Sequence, residues 1–318
     1  MNSSHDRAHP LLGVGLVLLA AAIFAINGSV SKVVLGAGLT SLQLVEIRCL
    51  LASLVFAAVA AVRNPGSLRM TRRELGFIVI YGVVGVAMVQ WLYFVSITRM
   101  PVSVSLLVEF TAPLLIALWV RFVRKQPVRS RVWAALALII GGLALVAQVW
   151  SGLTLDAIGL LAAGLAAISL AIYYVLGERA MGRRDAWSLA AWSFGAAAAF
   201  WSIVQPWWLF PFDHYSRSLA VGTTGLHAPV WLLVTWVVLL GTVTPFALLL
   251  RGLGQIGAAR VGLVGTAEPP LAGVVAWLVL GETLSAAQII GAVIVLSGIV
   301  LAETARTPQP AVAPATVG

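Results

Sequence analysis

Charge is scarce in this chain: Asp, Glu, Lys and Arg together make up 10% of its 318 residues, while 61% are hydrophobic. Soluble domains are roughly a quarter charged, so water cannot be the solvent for most of this surface, and lipid must be. Cysteine is almost absent. The single Cys49 lies inside an apolar run, which excludes a disulfide framework and a cysteine-based metal site. The four histidines, His5, His9, His214 and His227, fall in the amino-terminal segment or in the stretch 206–229, so none stands beside a nucleophile at membrane depth. No GxSxG, HExxH or Walker-type string occurs. The reading is therefore of a protein that is not an enzyme, with no cofactor and no metal. A channel or a non-transporting membrane sensor is the alternative, and an intramembrane enzyme a weaker one.

What the chain has instead is ten apolar runs, each near the roughly 20 residues that cross a bilayer as a helix. They fall at 11–35, 41–62, 75–97, 101–120, 132–150, 157–177, 187–205, 230–250, 258–280 and 285–302. The first resembles a signal peptide only superficially, since no A-x-A-like site closes it. The expected organisation is an amino-terminal cytoplasmic tail 1–10, five helices over 11–150, five more over 151–302, and a disordered cytoplasmic tail 303–318. The net charge of +9 does not point to nucleic acid, because the basic residues come in short clusters between apolar runs. With the amino terminus inside, 16 of the 20 Lys and Arg residues lie in cytoplasmic segments, as the positive-inside rule requires.

The two sets of five are repeats. The segment from Pro113 aligns without gaps on that from Pro270, an offset of 157 that also pairs Gly141 with Gly298, while Gly15-Leu16 matches Gly159-Leu160 at an offset of 144. Five is odd, so the halves enter the membrane from opposite sides. The predicted fold is an all-α membrane protein of ten transmembrane helices in two inverted five-helix repeats, a plan found in secondary transporters.

Ionisable residues inside such spans cost roughly 2.5–3.5 kcal/mol each on insertion scales and need a reason. Glu109 and Glu268 lie about 12–15 Å deep at 1.5 Å per residue, and Arg48 is similarly deep in the second span. One reading makes Glu109 or Glu46 a structural counter-ion for Arg48. The other has these groups line an aqueous cavity between the halves. Proline favours the second: Pro113, Pro269 and Pro270 cannot donate to the carbonyls of Glu109, Gly265 and Thr266, and free carbonyls at this depth belong inside protein or facing water. Asn27, Gln90, Trp91, Tyr93, Thr111 and Thr266 complete the candidate substrate- or proton-binding set. The small residues Gly291 and Gly298, with Ala134 and Gly141 as repeat equivalents, predict close helix approach.

The strings EFTAP at 109–113, LYF around Tyr93, EPP at 268–270 and LGETLS at 280–285 resemble the EamA-domain group of the drug/metabolite transporter superfamily. EFTAP with LYF is most similar to its threonine and homoserine exporters. Arg48 matches an arginine common early in the second helix of such units, with Trp192 at the equivalent place in the other half. The resemblance implies ten helices around a central cavity and export of amino acids or related metabolites. With the buried carboxylates it gives the expectation of a secondary exporter in the inner or plasma membrane, acting on a small-molecule substrate, with proton antiport as its coupling scheme.

Overall fold

Lipid offers a backbone no hydrogen bonds, so apolar runs of this length must satisfy their own N–H and C=O groups as helices. The computed structural model describes residues 10–123, 125, 130–147, 155–181, 184–205 and 217–304. Of the two tails only Pro10 and the last helical residues, Glu303 and Thr304, fall within that set; the tail readings otherwise lie outside it, as does the part of the long connection before Arg217.

The helices in order are α1 (Pro10–Gly36), α2 (Ser41–Arg63), α3 (Arg72–Ile80), α4 (Val89–Ile97), α5 (Val102–Glu109), α6 (Ala112–Phe122), α7 (Ser130–Ala147), α8 (Ala157–Met181), α9 (Ala186–Val204), α10 (Val230–Val238), α11 (Thr244–Gly265), α12 (Glu268–Leu280) and α13 (Ala286–Thr304). A π-helical stretch, Tyr81–Met88, joins α3 to α4, and a second, Leu239–Val243, joins α10 to α11. Shifted by the repeat offset of 157, the first lands on the second, so both halves carry the same irregularity. Among the described residues six helical segments are long and apolar enough to cross a membrane, and four shorter apolar helices accompany them. Leu54, Leu161, Val274 and Val293 are each more than half exposed on the outside, while Glu46, Arg48, Gln90, Glu109 and Glu268 are buried within. The chain is thus a multi-pass membrane protein, apolar on its outside and polar in its interior.

Local chemistry sets where the helices begin. Thr40 and Gln43 form a reciprocal capping box at α2, Glu74 accepts the Thr71 N–H ahead of α3 at 2.9 Å, and Asp185 accepts two N–H groups at the start of α9. Such caps contribute about 1 kcal/mol each. Two features depart from the reading of the sequence. The eighth apolar run does not stop near residue 250: the helix continues to a kink at Gly257 (φ 74°), and Arg251, within it, lies over the Trp187 ring at 5.0 Å. The connection before α10 ends in an antiparallel hairpin, β1 (Ser218–Ala220) with β2 (His227–Pro229).

Packing follows a two-fold pattern. Helix α2 lies against its repeat equivalent α9, and α7 against α13; α1 packs on α11 as α8 packs on α4 and its π stretch. The α7–α13 seam brings two backbones together. A Cβ on Gly291 would stand 2.7 Å from the Gly142 carbonyl oxygen, and one on Gly142 2.8 Å from that of Gly291. The partner glycine is Gly142 rather than Gly141, around which a Cβ would meet nothing; one residue turns a helix by 100°, and only packing shows which face is inward. Gly142→Leu or Gly291→Leu should therefore lower the amount of folded protein in the membrane several-fold, an overpacking cost of about 1–3 kcal/mol, while Gly141→Ala should not. Immunoblots of membranes carrying each variant check this.

Contacts between connections fall into two groups. The end of α1, the α4–α5 turn, the start of α8, the hairpin and the end of α12 touch one another, through Lys32–Glu282, Arg99–Asp156 and the Thr223 N–H to the Val279 carbonyl. The α2–α3 connection meets the start of α9, where Arg184 reaches the Ser67 and Arg69 carbonyls and Glu74. Neither group mixes with the other among these contacts.

Candidate functional site

Each half breaks a helix at the same depth. Helix α5 ends at Glu109, and Phe110 and Thr111 form a turn before α6, in whose first turn Pro113 stands. Helix α11 ends at Gly265, and Thr266 and Ala267 form the matching turn before Glu268, Pro269 and Pro270 open α12. Proline is tolerated in a first helical turn because the N–H it lacks would have no intrahelical partner there. The breaks bring the two carboxylates to one place: Glu109 closes one helix and Glu268 opens another, and both face a single cavity between the halves.

Arg48, Asn27, Gln90 and Tyr93 line the same cavity, so six of the nine sequence-predicted polar site residues meet there. Its walls include Phe24, Phe110, Tyr173, Tyr174 and Phe246. Measured as room for the centres of water molecules it is about 90 Å³; roughly 10–15 Å³ suffices for one water, so it has room for several waters. One oxygen of Glu109 and the Gln90 carbonyl oxygen find no hydrogen-bond partner in the protein, which suits groups that face solvent or a ligand.

The remaining three lie elsewhere. Trp91 turns away and packs on Trp201, ring centroids 5.6 Å apart. Thr111 is buried and spends its hydroxyl on the Val108 carbonyl at 2.8 Å. Thr266 is buried in its turn and does not line the cavity.

Arg48 has partners that the sequence did not suggest. Its guanidinium donates to the Thr242 hydroxyl and, at 3.1 Å, to the Gly241 carbonyl, and it lies over the Phe94 ring at 5.3 Å. Ion pairing to Glu109 or Glu46 does not occur. Three ion pairs are present among the described residues, Lys32–Glu282, Arg99–Asp156 and Arg184–Glu74, and Arg48 is in none of them. Glu46 turns to the opposite side, toward Ser202 of α9. Thr242 and Gly241 belong to the second π stretch, where side chains and carbonyls depart from α-helical register; such stretches often mark functional sites. Arg48, Glu109 and Glu268 still act on one another through space, with the arginine's charge opposing the mutual repulsion of the two carboxylates. The cavity thus offers two acidic groups and one basic group, drawn from both halves, inside an aromatic and aliphatic wall. Nothing local in the sequence marks Thr242, Phe24 or Phe246 as neighbours of these groups.

The comparisons with known proteins agree on the type of molecule. The EamA-like transporter family matches twice, over residues 11–148 and 157–304. The threonine/homoserine exporter RhtA of Escherichia coli K12 is 29% identical over 291 residues, covering 89% of each chain. An uncharacterized inner membrane transporter, YicL, of Salmonella typhimurium is 23% identical over 290 residues, 90% of this chain and 93% of the other. A crystal structure 20% identical in sequence superposes with a TM-score of 0.60 over 93% of this chain and 97% of that one, a likeness of fold. Two tandem copies of one family unit, covering nearly the whole chain and meeting around a polar cavity, identify it: this protein belongs to the EamA-like transporter family.

Proposed function

We propose that this protein is a secondary exporter of a small polar metabolite, an amino acid of the threonine or homoserine kind, coupled to proton entry by Glu109 and Glu268. The observation that carries the reading is that a carboxylate from each half and the buried Arg48 face one cavity where the repeats meet. A zwitterion needs both signs of charge, and the carboxylates are suited to its ammonium group. A substrate ammonium and a proton compete for the same carboxylates, and that competition is enough to exchange one for the other. Similarity to RhtA over 89% of the chain supports the substrate class.

The ten-helix inverted arrangement belongs to this proposal. On this reading the four shorter apolar helices cross along with the six long ones, and the division of the connections into two non-mixing groups supports alternate crossing. The charge bias supports a cytoplasmic location for both termini and for the basic α2–α3 connection; the proposed membrane is the inner or plasma membrane, with the two repeats over 11–150 and 151–302.

The test is growth of a sensitive strain, with and without the protein, on a panel of toxic amino acids, amino-acid analogues and drugs. Expression should raise tolerance to excess threonine, homoserine or their analogues and lower their intracellular level. Tolerance gained only to cationic drugs would move the substrate to another class, and no change in any tolerance with the protein present in the membrane would refute export.

A further inference from the structure

Beyond the cavity lining on α1 stand contacts between the two halves that the proposed site does not include. Along α1 the lining residues are Val17, Ala21, Phe24 and Asn27. One residue further, Gly28 is packed so tightly that a Cβ there would lie 2.8 Å from Val102 Cγ1 and strike the Tyr93 hydroxyl. A turn beyond, Lys32 donates to Glu282 at 2.6 Å and to the Met100 carbonyl at 2.9 Å. The other oxygen of Glu282 accepts the Val102 N–H at 3.0 Å, capping α5, the helix that ends in Glu109. Glu282 is held in place by Gly281, whose left-handed φ of 68° ends α12.

We infer that Lys32 and Glu282 form the latch of the gate on the outer face, joining α1 and the α4–α5 turn of the first half to the end of α12 in the second. The inference rests on the export reading above. Both side chains are largely shielded from solvent, with 28% and 14% exposure, so their attraction is screened less than that of a surface pair. The pair is not repeated at the equivalent positions of the two halves, and the ion pair in the other group of connections, Arg184–Glu74, joins α3 to the start of α9 rather than the ends of α1, α5 and α12. The repeat equivalents are Leu176, at the offset of 144 from Lys32, and Lys125, at 157 before Glu282, and a leucine and a lysine cannot form an ion pair. An inverted repeat gives both faces the same helices, and this pair breaks the tie by stabilising the state closed outward. Opening outward requires the pair to part, and the equilibrium shifts by whatever the pair contributes to the closed state alone.

The experiment uses the full-length protein with Cys49→Ala and one cysteine introduced at Leu106, which lines the cavity one helical turn from Val102, whose N–H Glu282 accepts. Intact cells are treated with an impermeant maleimide; Thr224→Cys, exposed on the hairpin turn, serves as the outside-accessible control and Ser67→Cys as the inside one. With the latch intact, labelling at position 106 should be slow. Lys32→Met or Glu282→Gln should raise its rate about tenfold, as loss of one charged hydrogen bond predicts; the double substitution should add little more, and Lys32→Arg should keep the slow rate. Unchanged labelling in Lys32→Met and Glu282→Gln would overturn the latch. In a second measurement, cysteines at positions 32 and 282 are joined by a reversible bis-methanethiosulfonate in proteoliposomes. Transport should stop and return with reductant, whereas transport that continues while the link is in place would overturn the inference. The labelling assay needs no substrate, so a protein that gates but does not export amino acids would be recognised as such.

Discussion

Export should fall to background when Glu109 or Glu268 is replaced by glutamine, with the protein still folded and in the membrane. Glutamine keeps the shape and most of the hydrogen bonding and removes only the charge. The two carboxylates face one cavity and neither is in an ion pair among the described residues, so no buried counter-ion is abandoned by the change. Each charged hydrogen bond to a substrate ammonium group is worth about 1.5–3 kcal/mol, which is roughly a 10- to 150-fold loss of affinity per carboxylate. Loss of the exchangeable proton would remove coupling altogether. The measurement is uptake of labelled threonine or homoserine into proteoliposomes under an imposed pH gradient, beside the amount of monodisperse protein recovered. Full, gradient-driven transport by the doubly substituted protein would exclude both residues from the mechanism. If Glu109 were instead the structural counter-ion of Arg48, Glu109→Gln would lower abundance and neutralising Arg48 would restore it.

Arg48→Ala should have the next largest effect, and on the folded state first. The side chain is 3% exposed and ties α2 of the first half to the π stretch of the second through Thr242 and Gly241. Removing it leaves the Gly241 carbonyl and the Thr242 hydroxyl short of a donor and opens a void beneath Phe94. Unsatisfied buried polar groups cost about 1–3 kcal/mol each, so a loss of roughly 3 kcal/mol is expected, a large share of a marginal stability. Membrane abundance and thermal stability in detergent should both fall. Arg48→Lys should rescue only partly, because an ammonium cannot span two acceptors with the fixed fork of a guanidinium. The exposed Arg73→Ala serves as a neutral control. A double-mutant cycle ranks the partners: Arg48→Ala should couple more strongly to Thr242→Val, its hydrogen-bond partner, than to Glu109→Gln, which it reaches only through space. Normal abundance and normal transport for Arg48→Ala would sink the idea.

What could be read from residues alone was what lipid and covalent chemistry dictate. Apolar runs long enough to span a bilayer have one way to satisfy their backbones there, so the helices were legible as a pattern of hydropathy. A proline cannot donate a hydrogen bond wherever it stands, so Pro113, Pro269 and Pro270 announced breaks beside Glu109 and Glu268 before any neighbour was known. Repetition at offsets of 144 and 157 showed two units. The cavity's polar members were found for a similar reason: Asn27, Arg48, Gln90 and Tyr93 are expensive in lipid, and expense marks them whatever they touch.

Partnership is another matter, because it depends on rotation about helix axes and on crossings between segments far apart in the chain. The 100° between successive residues of a helix put Gly142 rather than Gly141 in the α7–α13 seam and turned Trp91 toward Trp201, away from the cavity its neighbour Gln90 faces. The π stretches Tyr81–Met88 and Leu239–Val243 have no local signature, since their apolar sequences would serve an α-helix as well; packing across the two-fold axis selects them. That selection gives Arg48 a hydroxyl and a carbonyl in place of a carboxylate. Lys32 and Glu282 stand 250 residues apart in the chain. Only the tertiary structure makes them a pair, because only the packing of α1 against α12 brings their side chains within reach.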